Sequence, residues 1–252
     1  MEPMQRLRMT LTLALAVLGG ATARSPAQQT GDTALTVEGF LQNDEQFDLW
    51  TIVAPLPLHA LGVQTFVLPL VGKADRWSRY RNQYVAARGR VARVSGGGTP
   101  GIGIDVEDMS ARVPPRTTHR TVDHGLTLHA DVTLAVIPDR FAWRDAQGGE
   151  SGVNPIALFT ITNRRQAPIL FVLPTNDFLC ISVTGTQGDY HWDSTTKVLS
   201  PDARRFAVQR GGTFRDAIRL PPDAAPRAGR YVARVGVCAV DDYDITAEFD
   251  VQ

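Results

Sequence analysis

The run "LTLHADVTLAV" (126–136) places an apolar side chain at every second position: Leu126, Leu128, Ala130, Val132, Leu134 and Val136. Thr127, His129, Asp131 and Thr133 stand between them. A period of two sends the first set to one face of an extended strand and the second set to the other, so the run predicts a strand buried on one side. Such a strand is stable only against another apolar sheet face, and the chain downstream supplies one. Short apolar runs recur at "PIALFTITN" (155–163), "PILFVLP" (168–174), "FLCISV" (178–183), "DYHWD" (189–193), "RRFAV" (204–208), "TFRDAIRLP" (213–221), "GRYVARVGVCAV" (229–240) and "YDITAEFDVQ" (243–252). Turn-forming residues separate them, and this rhythm predicts a two-sheet sandwich over residues 125–252.

The upstream half is also strand-rich. "TALTVEGFLQ" (33–42), "FDLWTIVAPL" (47–56) and "VQTFVLPLVG" (63–72) predict three strands. In and just after "KADRWSRYRNQ" (73–83), Trp77, Tyr80 and Tyr84 fall at i, i+3 and i+7, which predicts a short helix. "YVAARGRVARV" (84–94) and "GIGIDVEDM" (101–109) predict two more strands, joined by a hairpin at "SGGGTP". Between the halves, "RVPPRTTHRTVDHG" (112–125) is polar, holds two prolines and lacks apolar periodicity. The expected organisation is a small barrel over 30–113, a linker over 114–124 and a sandwich over 125–252.

The first residues predict export. Arg6 and Arg8 precede the apolar run "LTLALAVLGGA" and the small-residue string "ATARSPA", the pattern of a secretory signal peptide ending at residue 23 or, alternatively, at 27. No later run approaches the roughly 20 apolar residues of a membrane-crossing helix. The expected location is therefore extracytoplasmic, periplasmic or secreted. Lys plus Arg and Asp plus Glu both number 26, so no net field draws the chain to nucleic acid.

Chemical motifs are sparse. His119, His124 and His129 recur at intervals of five, but an odd spacing on a strand sends neighbours to opposite faces, so they do not converge on a metal. "DDYD" (241–244) lacks the glycine and oxygen spacing of a calcium loop. "SGGGTPGIG" lacks the Lys-Ser/Thr ending of a phosphate loop. No G-x-S-x-G or H-E-x-x-H occurs. The expectation is a protein that is not an enzyme, with no catalytic residue, cofactor or metal. Cys180 and Cys238 each fall opposite the apolar face of their strands. If those strands are neighbours, the two join in a disulfide in an oxidising compartment; otherwise they remain free thiols.

Three strands, a helix and two strands, with the "VEG", "YVAARGRV" and "IGIDVEDM" segments, resemble an OB-fold barrel. That resemblance implies glycan or oligonucleotide binding on the face of the second and third strands, with Trp50 and Phe66 as stacking platforms. Downstream, "FTITNRRQAPILFVLPTNDFLCISVTGTQGDYHW" and "APRAGRYVARV" resemble the BsuPI, or intracellular proteinase inhibitor, family. Asn163, Pro168, Gly188, Trp192, Gly229 and Tyr231 match its landmarks. Pro174, Thr175 and Asn176, then Leu179, Cys180 and Ile181, depart from them: the family has Ser-Gly-Gln and an aromatic-Asp-Phe run at these places. The resemblance implies an immunoglobulin-like β-sandwich and a protein partner, a protease among the candidates. The all-β expectation is thus an OB-like barrel followed by this sandwich, in an exported binding protein that recognises a protein through loops such as 143–154 and 194–203. The alternatives are glycan or oligonucleotide binding by the barrel, and a structural role in the cell envelope.

Overall fold

The structure, a computed structural model, describes residues 34–44, 49–60, 63–96, 99–114, 116–123, 129–175, 178–188, 190–194 and 199–252. The segment expected as a signal peptide lies outside the described residues, as do His124, Leu126 and Leu128. Among the described residues the fold is all-β, with short 3-10 turns and no α-helix.

Five strands close a barrel: β1 (Leu35–Asp44), β2 (Leu49–Ala60), β3 (Val63–Val71), β4 (Tyr84–Gly96) and β5 (Thr99–Ala111). Their order is β1-β2-β3-β5-β4; β4 returns to pair with β1, and β3 runs parallel to β5. Alternation sends Val37 and Leu41 of β1 inward, where they meet Ile52, Leu68, Val85, Ala87 and Ile104. Closure requires the strands to coil tightly, and Gly89 marks the place. It sits at a register shift between β4 and β5, where a Cβ would lie 2.0 Å from the carbonyl oxygen of Asp105; only glycine allows that approach.

The helix expected over 73–83 does not form. Two 3-10 turns, Ala74–Arg76 and Ser78–Tyr80, flank the buried Trp77 instead. The chain is claimed by the sheet: the Asn82 N–H donates to the Leu41 carbonyl, and the Leu41 N–H donates to the Gln83 carbonyl. Those bonds, with Asn82 at a φ of 55°, leave no room for a continued helical turn.

Eleven further strands follow: β6 (Thr118–Asp123), β7 (His129–Ile137), β8 (Arg140–Phe141), β9 (Ile156–Asn163), β10 (Ile169–Thr175), β11 (Leu179–Gly185), β12 (His191–Asp193), β13 (Leu199–Val208), β14 (Thr213–Arg219), β15 (Gly229–Val237) and β16 (Asp244–Val251). They make a four-stranded sheet β14-β9-β7-β6, a five-stranded sheet β12-β11-β15-β16-β8 and a two-stranded ribbon β10-β13. Val132, Leu134, Phe159 and Ile161 of the first meet Ile181, Val183, Ala233, Val235 and Phe249 of the second in one buried cluster. The stretch expected as a linker is corrected in part: Thr118–Asp123 is strand β6, paired with β7. Its apolar signal is a single residue, Val122, and the strand is held by its main-chain ladder to β7.

The barrel rests on the outer face of the four-stranded sheet. Phe40, Val53 and Tyr84 pack there against Ala135, Ile137, Ile156 and Leu158, and the Asn154 N–H donates to the Pro55 carbonyl at 3.0 Å. Residues Thr33–Gln252 accordingly form one compact unit. Burial, reinforced by the charge of Glu38, pushes the Tyr84 phenol up to about 12. This seam also explains why 155–159 is apolar without alternation: β9 is covered on both faces at this end.

At another edge, Asp244 opens β16 and ties three strands together. Its Oδ1 accepts from Arg120 of β6 at 2.6 Å and its Oδ2 from Arg234 of β15 at 2.5 Å. Burial pushes this carboxyl up, but the two hydrogen bonds and the two guanidinium charges outweigh it and hold the pKa below the ordinary aspartate value. A folded-state pKa below the unfolded one stabilises the fold above the ordinary carboxylate range, and the gain is lost as pH falls through the depressed value. Unfolding free energies of wild type and Arg120→Ala, from urea titrations, should therefore differ by about 1 kcal/mol at neutral pH and converge in acid. A gap that persists unchanged at low pH would show that Arg120 acts by packing.

Candidate recognition surface

The ribbon β10–β13 grows out of the four-stranded sheet around a corner made by one side chain. Asn163 ends β9 fully buried, at 0 % exposure. Its Nδ2 donates to the carbonyls of Ala167, Val208 and Gln209 at 3.0, 2.8 and 3.2 Å, and its Oδ1 accepts the Arg165 N–H at 2.8 Å. Its main chain bonds Gly212 and Gly211. A single amide therefore clamps the β9–β10 turn to the β13–β14 turn. Apolar side chains cannot do this, because four main-chain groups at the bend need partners.

Beyond the corner the ribbon alternates. Ile169, Phe171 and Leu173 point inward and are buried; Phe171 lies against Phe178, Phe206 and Tyr243. Leu170 and Val172 point outward, 63 % and 51 % exposed. Opposite them in the register stand Ala207 and Arg205, so the outer face carries two large aliphatic side chains, a small one and an exposed cation. Each ribbon strand pairs only with the other among the described residues, which leaves main-chain donors and acceptors along both outer edges. "PILFVLP" is one continuous apolar run, so alternation does not mark Leu170 and Val172 as the outward pair.

The loop 143–154 is present and braced. The Trp143 indole donates to the Ala225 carbonyl at 2.6 Å and meets Phe141 edge-on. The Asp145 Oδ1 accepts from the N–H groups of Gln147 and Gly149, and residues 144–150 are exposed. The second expected loop, 194–203, is corrected in part. Residues 195–198 lie outside the described residues, and 199–203 belongs to strand β13.

Cys180 and Cys238 are bonded to each other, with an S–S distance of 2.07 Å and Cα atoms 4.9 Å apart. One detail of the expectation is corrected. Cys238 is 1 % exposed and lies past the end of β15, in a turn where Ala239 adopts a φ of 60°; its N–H donates to the Phe178 carbonyl. That bond continues the β15–β11 pairing by one residue before the chain turns away, and Cys238 is buried at this turn.

Trp50 is corrected as a stacking platform. It is 7 % exposed and packs edge-on against Trp77 with ring centroids 6.4 Å apart, so its face fills the barrel core. Phe66 is half-buried on β3. His119 lies 3.3 Å from the Asp131 carboxylate, which also pairs with Arg164; no group of three or more candidate metal ligands occurs among the described residues.

The landmark residues occupy folding positions. Besides Asn163, the Trp192 indole donates to Asp223 at 3.2 Å. The Tyr231 hydroxyl donates to the Arg227 carbonyl four residues upstream, as in the tyrosine corner of two-sheet domains. Gly188 takes a φ of 73° in the turn between β11 and β12, a conformation that favours glycine. No protein-family model matches the chain, and no curated protein matches it either.

Proposed function

We propose that the chain is an exported, non-catalytic binding protein that recognises another protein through the outer face of the β10–β13 ribbon. The observation behind this reading is the pair Leu170 and Val172, exposed on a ribbon whose other face is packed with aromatic side chains. Water-exposed aliphatic side chains beside open strand edges suit an extended segment of a partner, whose main chain would join the ribbon while its apolar side chains cover this pair. Export is supported by the N-terminal sequence pattern and is compatible with the Cys180–Cys238 bond, since such bonds persist in oxidising compartments. The order of the five barrel strands supports the OB-type reading of the first half, and the resemblance of the second half to BsuPI supports a protease as the partner class.

The test uses the purified mature chain and a Leu170→Asp/Val172→Asp variant. Both are assayed for capture of proteins from an envelope extract and for slowing of a panel of secreted serine proteases. The wild type should hold a partner at least about tenfold more tightly than the variant, with equal melting temperatures, because both substitutions lie at exposed positions. Equal behaviour of the two, or no binding and no inhibition by the wild type, rejects the ribbon as the recognition surface.

A further inference from the structure

Arg215, Ala217 and Arg219 share the outer face of β14, opposite Thr160, Leu158 and Ile156 of β9. Ala217 packs into the seam beneath the barrel, so the two arginines stand on either side of that contact. Four residues of strand separate them by about 13 Å. Arg215 is half-buried and Arg219 more open, and burial lowers both guanidinium pKa values. The arginines elsewhere that reach a carboxylate are numerous: Arg120 and Arg234 on Asp244, Arg116 on Asp139, Arg230 on Asp250. Among the described residues, Arg215 and Arg219 have no such partner. Partly desolvated cations without a counter-charge are costly and gain most from an anion that arrives from outside.

The backbone beside them is open as well. β14 is the edge strand of its sheet. The Leu220 N–H donates to the Pro155 carbonyl, and the same pairing continued along the register turns the even-numbered residues of β14 toward β9 and the odd-numbered ones outward. One outward donor, the Ala217 N–H, is taken by the carboxylate of the adjacent Asp216 at 2.8 Å. Asp216 itself stands on the opposite face with Phe214 and Ile218, so it closes one main-chain donor of the edge but leaves the two guanidinium groups without a carboxylate.

We propose that the β14 edge binds an extended acidic peptide, whose main chain lies along the strand and whose carboxylates, four residues apart, pair with Arg215 and Arg219. The partner is a peptide because the edge offers main-chain groups at strand spacing, the outward N–H and C=O groups of Arg215 and Arg219 and the Ala217 carbonyl, which a side-chain-only anion site would not need. The site lies on a different sheet from Leu170 and Val172 and goes beyond the ribbon reading.

The test is fluorescence anisotropy of a labelled peptide with the core Glu-Val-Thr-Val-Glu, titrated with the full mature chain at about 50 mM salt. Saturable binding is expected. It should weaken at least about tenfold in Arg215→Ala/Arg219→Ala and progressively with added salt, remain unchanged in Leu170→Asp/Val172→Asp, and vanish for the same peptide with Lys in place of Glu. The single variants Arg215→Gln and Arg219→Gln, with melting temperatures equal to wild type, serve if the double variant does not fold. Absence of saturable binding, or binding that neither the arginine substitutions nor the Lys peptide alters, overturns the proposal. So does binding of a sulfated polysaccharide through the same arginines when the peptide does not bind.

Discussion

Replacing Cys180 and Cys238 together with alanine should destabilise the fold by about 4 kcal/mol, because the bond closes a loop between residues 58 apart in sequence and cross-linking a loop of that length removes about this much entropy from the unfolded chain. In urea, with a slope of roughly 2–3 kcal/mol/M, the midpoint falls by about 1.5 M. Reductant should produce a similar fall in the wild type and none in the variant. The effect is structural: Cys238 is buried where the chain curls past β15, and the bond fixes that curl to β11. A wild-type midpoint indifferent to strong reductant would sink this expectation.

Asn163→Ala should cost about as much, roughly 3–4 kcal/mol, by a different route. The substitution strips the donor from three carbonyls and the acceptor from one N–H at a buried bend, and buried main-chain groups left without partners cost about 1–3 kcal/mol each, reduced where water can enter. Asn163→Asp should be no better. It keeps the shape and the acceptor but aims a carboxylate at the same carbonyls. Hydrogen exchange separates corner failure from general weakening, since the amides of Phe171 and Phe206 on the ribbon should lose protection before those of Phe159 and Val235 in the sheets. A loss below about 1 kcal/mol, or uniform exchange, would mean the corner holds without the amide.

Asn163 also marks how far the sequence can be read. Period-two alternation located most of the strands, because a strand with one wet face writes its geometry into every second residue; β11 and β16 follow that rule, whereas β7, expected to be buried on one side, is buried on both, since Ala135 and Ile137 on its second face lie under the barrel. β6 escaped because it contributes one apolar side chain and its bonds are main-chain bonds, which leave no side-chain signature. The helix expected around Trp77 failed because three aromatic residues at helical spacing also suit one buried anchor with two neighbours drawn elsewhere. Trp77 fills the barrel, and Tyr84 turns into the seam. The cysteine pair was legible up to a condition: alternation set both cysteines opposite the apolar faces, and the structure supplies the adjacency of their strands that the sequence left open. Leu170 and Val172 were not legible, since nothing in "PILFVLP" distinguishes side chains facing a core from those facing water. Arg215 and Arg219 were hidden for a related reason, as the absence of a counter-charge is a property of the folded surroundings.

The seam under Tyr84 changes what it means to treat the halves as modules. Ala135, Ile137, Ile156 and Leu158 belong to strands of the four-stranded sheet, yet the roof over them comes from Phe40 and Val53 of the barrel. Melting either half uncovers apolar surface on the other, so their free energies of unfolding are coupled. The barrel thereby acts as a lifelong chaperone for one wall of the sheet, and an exchange of barrels between such chains must preserve that wall's fit as well as the barrel's own core.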